Sequence, residues 1–114
     1  MNRRSSPRIL PSAPVGLLAV AIGGHEVILA WTESRPDGSG FHIERADGIG
    51  PGCLFLEIGR TGVNVAVFRD GSVKPGSTYS YRVHAWNATG DSSPSNVVGV
   101  TTPQAGTEPP ADKE

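Results

Sequence analysis

Three histidines and a single cysteine are the side chains of this sequence best suited to hold a metal or to act as base and nucleophile. Zinc takes imidazole, thiolate or carboxylate ligands, four in a structural site and three plus a water in a catalytic one. His25, His42 and His84 are scattered along the chain, and their spacing presents no further ligand. Cys53 follows Pro51-Gly52 in a glycine-rich connection, with no lysine, arginine or histidine within several residues to stabilise a thiolate. Paired carboxylates for acid–base work are missing as well. Asp37, Asp47, Asp70 and Asp91 sit in separate turns, where aspartate serves the backbone. No glycine-rich loop opens a helix, so nothing would cradle a phosphate. The residues therefore imply no catalytic set, no metal and no cofactor. Asn87-Ala88-Thr89 matches the N-glycosylation acceptor pattern, but with Gly90 it also reads as a strand end and turn, and modification is not expected. Trp86 stands apart. It is opposite in phase to Val83 and Ala85, so it points out of its strand, where an indole could stack on a sugar, pack on a partner or lie across its own sheet.

These groups must be positioned by strands. Tyr79 to Asn87 alternates without a break: Tyr79, Tyr81, Val83 and Ala85 fall on one side, and Ser80, Arg82, His84 and Trp86 on the other. A period of two marks a strand with one buried face. Pro75-Gly76 forms the turn that delivers the chain into it, and Asn87 to Pro94 is a polar loop after it. Earlier strands are read at about residues 17–21, with Leu17, Ala19 and Ala21 on one face, and at 27–32, with Val27, Leu29 and the anchor Trp31 on one face. Phe41 to Arg45 places Phe41 and Ile43 inward and His42, Glu44 and Arg45 in solvent. At about residues 54–60, Phe55 and Ile58 lie three apart, a spacing that a β-bulge would reconcile. Two more strands run at about 65–69 and 96–102, the last with Val98 and Val100 inward.

A chain of 114 residues makes one domain with tails. Its 15 glycines and 10 prolines suit many short strands joined by turns better than helices. The formal net charge of -1 offers no global attraction to nucleic acid or an anionic membrane. One cysteine permits no internal disulfide, which leaves the compartment open. Residues 1–13 read as a disordered basic arm carrying Arg3, Arg4 and Arg8, and residues 104–114 as a Pro-rich acidic tail. The arm and the apolar run after it have the outline of a signal peptide, but Pro11 and Pro14 break the helical segment, and the run itself supplies the first strand. No apolar stretch is long enough to span a bilayer.

Seven strands without a helix make an all-β, antiparallel sandwich. The order Leu17, Trp31, Phe41, Asp70, Val73, Pro75-Gly76, Tyr79, Tyr81-Arg82-Val83, Ala85, Asn87, Gly90, Ser93-Pro94-Ser95 and Thr102 resembles the fibronectin type III family over residues 14–103. The resemblance implies sheets A-B-E and C′-C-F-G. It implies a tyrosine corner, in which the Tyr79 hydroxyl bonds to the backbone near Val73 to Gly76. The expected core is Leu17, Leu29, Trp31, Phe41, Ile43, Val73, Tyr79, Tyr81, Val83 and Ala85. The family's Arg-Gly-Asp adhesion motif is not matched by Arg69-Asp70-Gly71, whose order differs and which lies on another connection.

Strands C and F become neighbours in this arrangement, and the outer face of C, F and C′ would gather His42, Glu44, Arg45, Arg82, His84 and Trp86. That face is the candidate partner-binding surface. The expectation is a monomeric, non-catalytic module that spaces or binds proteins, with extracellular or cell-surface use implied by the family alone. The alternative is an accessory module of a secreted carbohydrate-active system that binds glycan weakly through Trp86.

Overall fold

Apolar side chains at every second residue turn inward and close two antiparallel sheets on each other. A computed structural model describes residues 9–33, 35 and 38–104. Arg3, Arg4 and Arg8 of the basic arm, the turn residues Pro36 and Asp37, and the tail beyond residue 104 lie outside the described residues. Among the described residues eight strands follow one another: β1 (Val15–Ala21), β2 (Val27–Thr32), β3 (Gly40–Asp47), β4 (Leu56–Gly62), β5 (Val67–Asp70), β6 (Thr78–Asn87), β7 (Gly90–Asp91) and β8 (Val98–Thr101). One sheet has the order β1-β2-β5. The other runs β4-β3-β6-β7, with β8 also paired to β6.

The core lies between the sheets. Leu17, Val27, Leu29, Trp31, Phe41, Ile43, Val73, Tyr79, Tyr81, Val83 and Ala85 are all buried in one cluster, with Val98 and Val100 packed against it. Each large apolar side chain so buried contributes about 1.5–3 kcal/mol. Trp31 meets Phe41 edge to face at 5.3 Å between ring centroids, joining the sheets near one end. At the other end the Lys74 amide donates to the Tyr79 hydroxyl at 2.9 Å, so the phenol holds the Pro75-Gly76 turn by accepting a hydrogen bond.

Eight strands are described where seven were expected, because the segment read as a polar loop, Asn87 to Pro94, carries a two-residue strand, β7, paired to the end of β6. Pro94 has no amide to give to a ladder. Between β7 and β8 the serine hydroxyls stand in for backbone acceptors. The Ala85 amide donates to Ser92 Oγ at 2.9 Å, and the Val83 amide donates to Ser95 Oγ at 3.0 Å. The amides of Ser92 and Ser95 donate in return to the carbonyls of Ala85 and Val83. Asn96 then clasps the opposite sheet: its Oδ1 accepts from the Leu17 amide at 2.9 Å, and its Nδ2 donates to the Leu17 carbonyl at 3.1 Å.

The bulge falls between the pairs Ile43↔Gly59 and Glu44↔Glu57, which leaves Ile58 as the extra residue. Its effect differs from the expectation. It does not bring Phe55 and Ile58 to one face. Ile58 packs on the core, while Phe55, just before β4, lies under the Arg82 guanidinium. The strand also starts at Leu56, later than expected.

Candidate interaction surface

The register of β3 against β6 sets the surface. Gly40 lies opposite Trp86, His42 opposite His84, and Glu44 opposite Arg82, so these side chains share the outer face of the larger sheet. Directly opposed residues sit close enough to interact side by side. Glu44 Oε1 accepts from Arg82 Nε at 2.6 Å and faces His84 Nε2 at 3.1 Å. Burial raises the Glu44 carboxyl, but Arg82 and His84 outweigh it and hold it below the usual carboxylate range. His84 Nδ1 reaches the Ser92 carbonyl at 2.9 Å. His42 bridges two carboxylates, with Nδ1 2.9 Å from Glu57 Oε1 and Nε2 3.0 Å from Asp91 Oδ1. Arg60 Nε donates to Glu57 Oε2 at 2.7 Å. The hydrogen bonds that Glu57 accepts from Arg60 and from His42 lower its carboxyl to about 2.

Trp86 lies down on this surface. Its ring is half-buried, meets His42 edge to face at 6.3 Å, and has the Arg60 guanidinium 5.9 Å above its centroid. Gly40 is required underneath. A Cβ there would stand 2.5 Å from the Thr61 carbonyl and 3.0 Å from the indole nitrogen. That nitrogen is buried and has no hydrogen-bond partner among the described residues.

Five of the six expected surface residues come together here. Arg45 does not. It is in phase with Phe41 and Ile43 and therefore turns inward, to the end of the sandwich. There its Nη1 donates to Asp70 Oδ2 at 3.0 Å and to Ser72 Oγ at 2.9 Å, and its guanidinium lies 4.8 Å from the centre of the Tyr79 ring. Asp70 is only 3% exposed. It also accepts from the Tyr81 hydroxyl at 2.7 Å, the Ser72 amide at 3.0 Å and the Ser72 hydroxyl at 2.7 Å. Burial pushes the Asp70 carboxyl up, yet these donors outweigh it and hold it low. Burial, with Asp70 beside it, pushes the Tyr81 phenol far up. A buried carboxylate with this many donors is a structural lock on the turn before β6.

The other residues named from sequence also differ in detail. His42, Glu44 and His84 are largely covered by their neighbours; the His42 side chain keeps 12% of its surface. Sequence reasoning missed Arg60, Glu57, Asp91 and Phe55. Glu57 and Arg60 are three residues apart and share a face only because the bulge at Ile58 lies between them, so alternation carried no signal for the pair. Among the described residues no group of three histidine, cysteine or carboxylate side chains could hold a metal ion. Asn87 closes its own turn, with Oδ1 accepting from the amides of Thr89 and Gly90.

Two stacked antiparallel sheets of three and five strands, closed by a tyrosine corner, define an immunoglobulin-like β-sandwich. The comparison with known proteins narrows this to the fibronectin type III fold. The chain is similar to the fibronectin type III domain of human fibronectin type III domain containing protein 3, with 24% identity, a TM-score of 0.70, and coverage of 91% of this chain and 97% of that one. The FN5 domain of Drosophila Lar matches at 23% identity and a TM-score of 0.62, over 82% of this chain and 97% of that chain. Titin domains A168–A170 match at 20% identity and a TM-score of 0.70; the match covers 83% of this chain and 33% of that three-domain fragment. No family model and no curated protein sequence matches the chain.

Proposed function

We propose that this chain is a non-catalytic interaction module whose contact surface is the outer face of β4, β3 and β6. One observation carries the reading. The two imidazoles and the guanidiniums of Arg60 and Arg82 are already held in place by Glu44, Glu57 and Asp91, and the indole lies against His42 and Arg60. Binding there would fix few further rotamers, and ordering side chains is a main cost of association. Tryptophan and arginine are also enriched where proteins meet. The loop tip at 88–93 offers little apolar area beside this face.

Glycan binding through Trp86 gains no support from the geometry. Arg60 lies over the ring that a sugar would need, and His42 takes its edge.

A photoreactive phenylalanine analogue at Arg60, and another at Thr89, tests the surface in lysate of the source cells. The partner captured from Arg60 is then purified and titrated calorimetrically. Trp86→Ala and Arg60→Glu should each weaken its binding at least tenfold, and Thr89→Ala less than twofold. Capture from Thr89 alone, or unchanged affinity in Trp86→Ala, would show the surface to be wrong. A robust hydrolytic activity removed by a single substitution would overturn the non-catalytic reading.

A further inference from the structure

Both imidazoles on the larger sheet are surrounded by acceptors. His42 Nδ1 lies 2.9 Å from Glu57 Oε1, and its Nε2 lies 3.0 Å from Asp91 Oδ1. A carboxylate can only accept, and a neutral imidazole has one N–H to give. The second contact then sets a lone pair against a negative oxygen, so the bridge is complete only in the imidazolium. His84 faces acceptors as well, the Ser92 carbonyl at 2.9 Å and Glu44 Oε1 at 3.1 Å. The surrounding charges ask for one proton. Among the described residues of this face, Glu44, Glu57 and Asp91 meet the guanidiniums of Arg60 and Arg82, which leaves one negative charge in excess while both rings are neutral. The proton belongs on His42, which faces two carboxylates. The one that His84 faces is already paired with Arg82, at 2.6 Å on the same oxygen. Ser92 also needs no imidazole to stay in place, because its amide and its hydroxyl are both bonded to the Ala85 backbone.

We propose that the His42 proton is a latch: it fastens β7 to β4 beside the Trp86 indole, and its loss releases β7. The release has a fixed order. Glu57 stays, because Arg60 holds it at 2.7 Å, and its carboxyl, lowered to about 2, remains charged wherever histidine titrates. Asp91 is the loose end. Its side chain is 55% exposed, and β7 is two residues long, paired to β6 at Trp86 and Asn87. Nδ1 therefore keeps its proton for Glu57, and the bare Nε2 repels Asp91, whose carboxylate turns to water. The contact is present while the ring is charged and is lost as the pH rises through the histidine range, between about pH 5 and about pH 8. Arg60 attracts Asp91 at longer range and opposes the release without replacing the bond. The latched β7 frames one edge of the contact surface proposed above. That consequence rests on the surface reading, while the latch itself needs no partner.

Long-range proton–nitrogen correlation spectra of the full chain, from about pH 5 to about pH 8, read the His42 ring directly. Both ring nitrogens should carry protons at the acid end, and Nδ1 alone at the alkaline end. Amide hydrogen exchange at residues 89–91, corrected for its intrinsic pH dependence, should accelerate at least about threefold over that range. In Asp91→Asn the side-chain amide can donate to the bare nitrogen, so the same exchange should change less than about 1.5-fold. His42→Gln should remove the pH dependence likewise, and the exposed Asp91→Asn keeps the test decisive should His42→Gln fail to fold. Unchanged exchange in the wild type, a neutral ring protonated at Nε2 alone, or an acceleration that persists in Asp91→Asn overturns the latch. No partner enters these measurements, so a wrong contact surface would leave them unchanged.

Discussion

Replacing Asp70 with alanine should cost about 3–5 kcal/mol, the range for breaking one side of a buried ion pair. The structure shows where the loss arises. The Tyr81 hydroxyl, on a side chain with no exposed surface, loses its acceptor at 2.7 Å, and an unsatisfied buried group costs about 1–3 kcal/mol. Arg45, 19% exposed, loses the carboxylate at 3.0 Å and keeps the more distant Asp47 at 3.7 Å. Ser72 is exposed and turns to water, so its share is small. Urea denaturation at pH 7 measures the sum. Tyr81→Phe combined with Asp70→Ala should show a coupling above about 1 kcal/mol, because the first change removes the donor that the second would orphan. The pH dependence has a fixed sign. The folded Asp70 carboxyl titrates below its unfolded value of about 3.9. Its contribution is therefore complete above about pH 4 and is lost as the pH falls through the folded value. Asp70→Asn should flatten that acid limb. An Asp70→Ala loss below about 1.5 kcal/mol, or an acid limb unchanged in Asp70→Asn, refutes the lock.

Other substitutions probe separate contacts. Tyr79→Phe removes the acceptor for the Lys74 amide and should lower stability by about 1 kcal/mol in the same denaturation experiment; a change under about 0.5 kcal/mol means the corner contributes little. Gly40→Ala drives a methyl group into the Thr61 carbonyl and the indole, costing about 1–3 kcal/mol and shifting the Trp86 emission; unaltered stability and emission would show that the close approach is not needed. Ser95→Ala leaves the Val83 amide without its side-chain acceptor, and hydrogen exchange at that amide should accelerate while exchange at Ile43 in the neighbouring strand changes less.

What the sequence made legible was local. Pro75-Gly76 followed by Tyr79, and the unbroken alternation from Tyr79 to Ala85, specify a turn and a strand with few alternatives, and the sandwich follows from them. Arg45 shows where such reading stops. Its phase with Phe41 and Ile43 pointed inward, but a charge is expected in solvent unless a partner waits for it, and Asp70 lies 25 residues further along the chain. Phe55 was misplaced for another reason. The extra residue is Ile58 itself, so plain alternation holds from Phe55 to Ile58 and sets them on opposite faces. Only the residues after Ile58, Arg60 among them, change side. Ser92 and Ser95 looked like loop polarity because a hydroxyl replacing a backbone acceptor has no periodic signature. The self-satisfaction of Glu44, His42 and Glu57 depends on β3, β4 and β6 coming together, which no local window contains.

The Asn96 clasp has a mechanical meaning. Leu17, near the start of β1, is tied to Asn96 just ahead of β8, while Gly24, after β1, lies by Pro103 beyond β8, so the two strands run in the same direction. The chain enters the sandwich beside Asn87, where the Ile9 carbonyl accepts from its side chain, and leaves beside Gly76, at the other end. Tension applied at residues 9 and 104 would therefore slide β1 and β8 past each other lengthwise. The two hydrogen bonds of the Asn96 amide would share that load and break together, and the β6–β8 ladder would be sheared all at once. A module strung this way resists stretching with its whole length, where a hairpin pulled from its open end would yield one bond at a time.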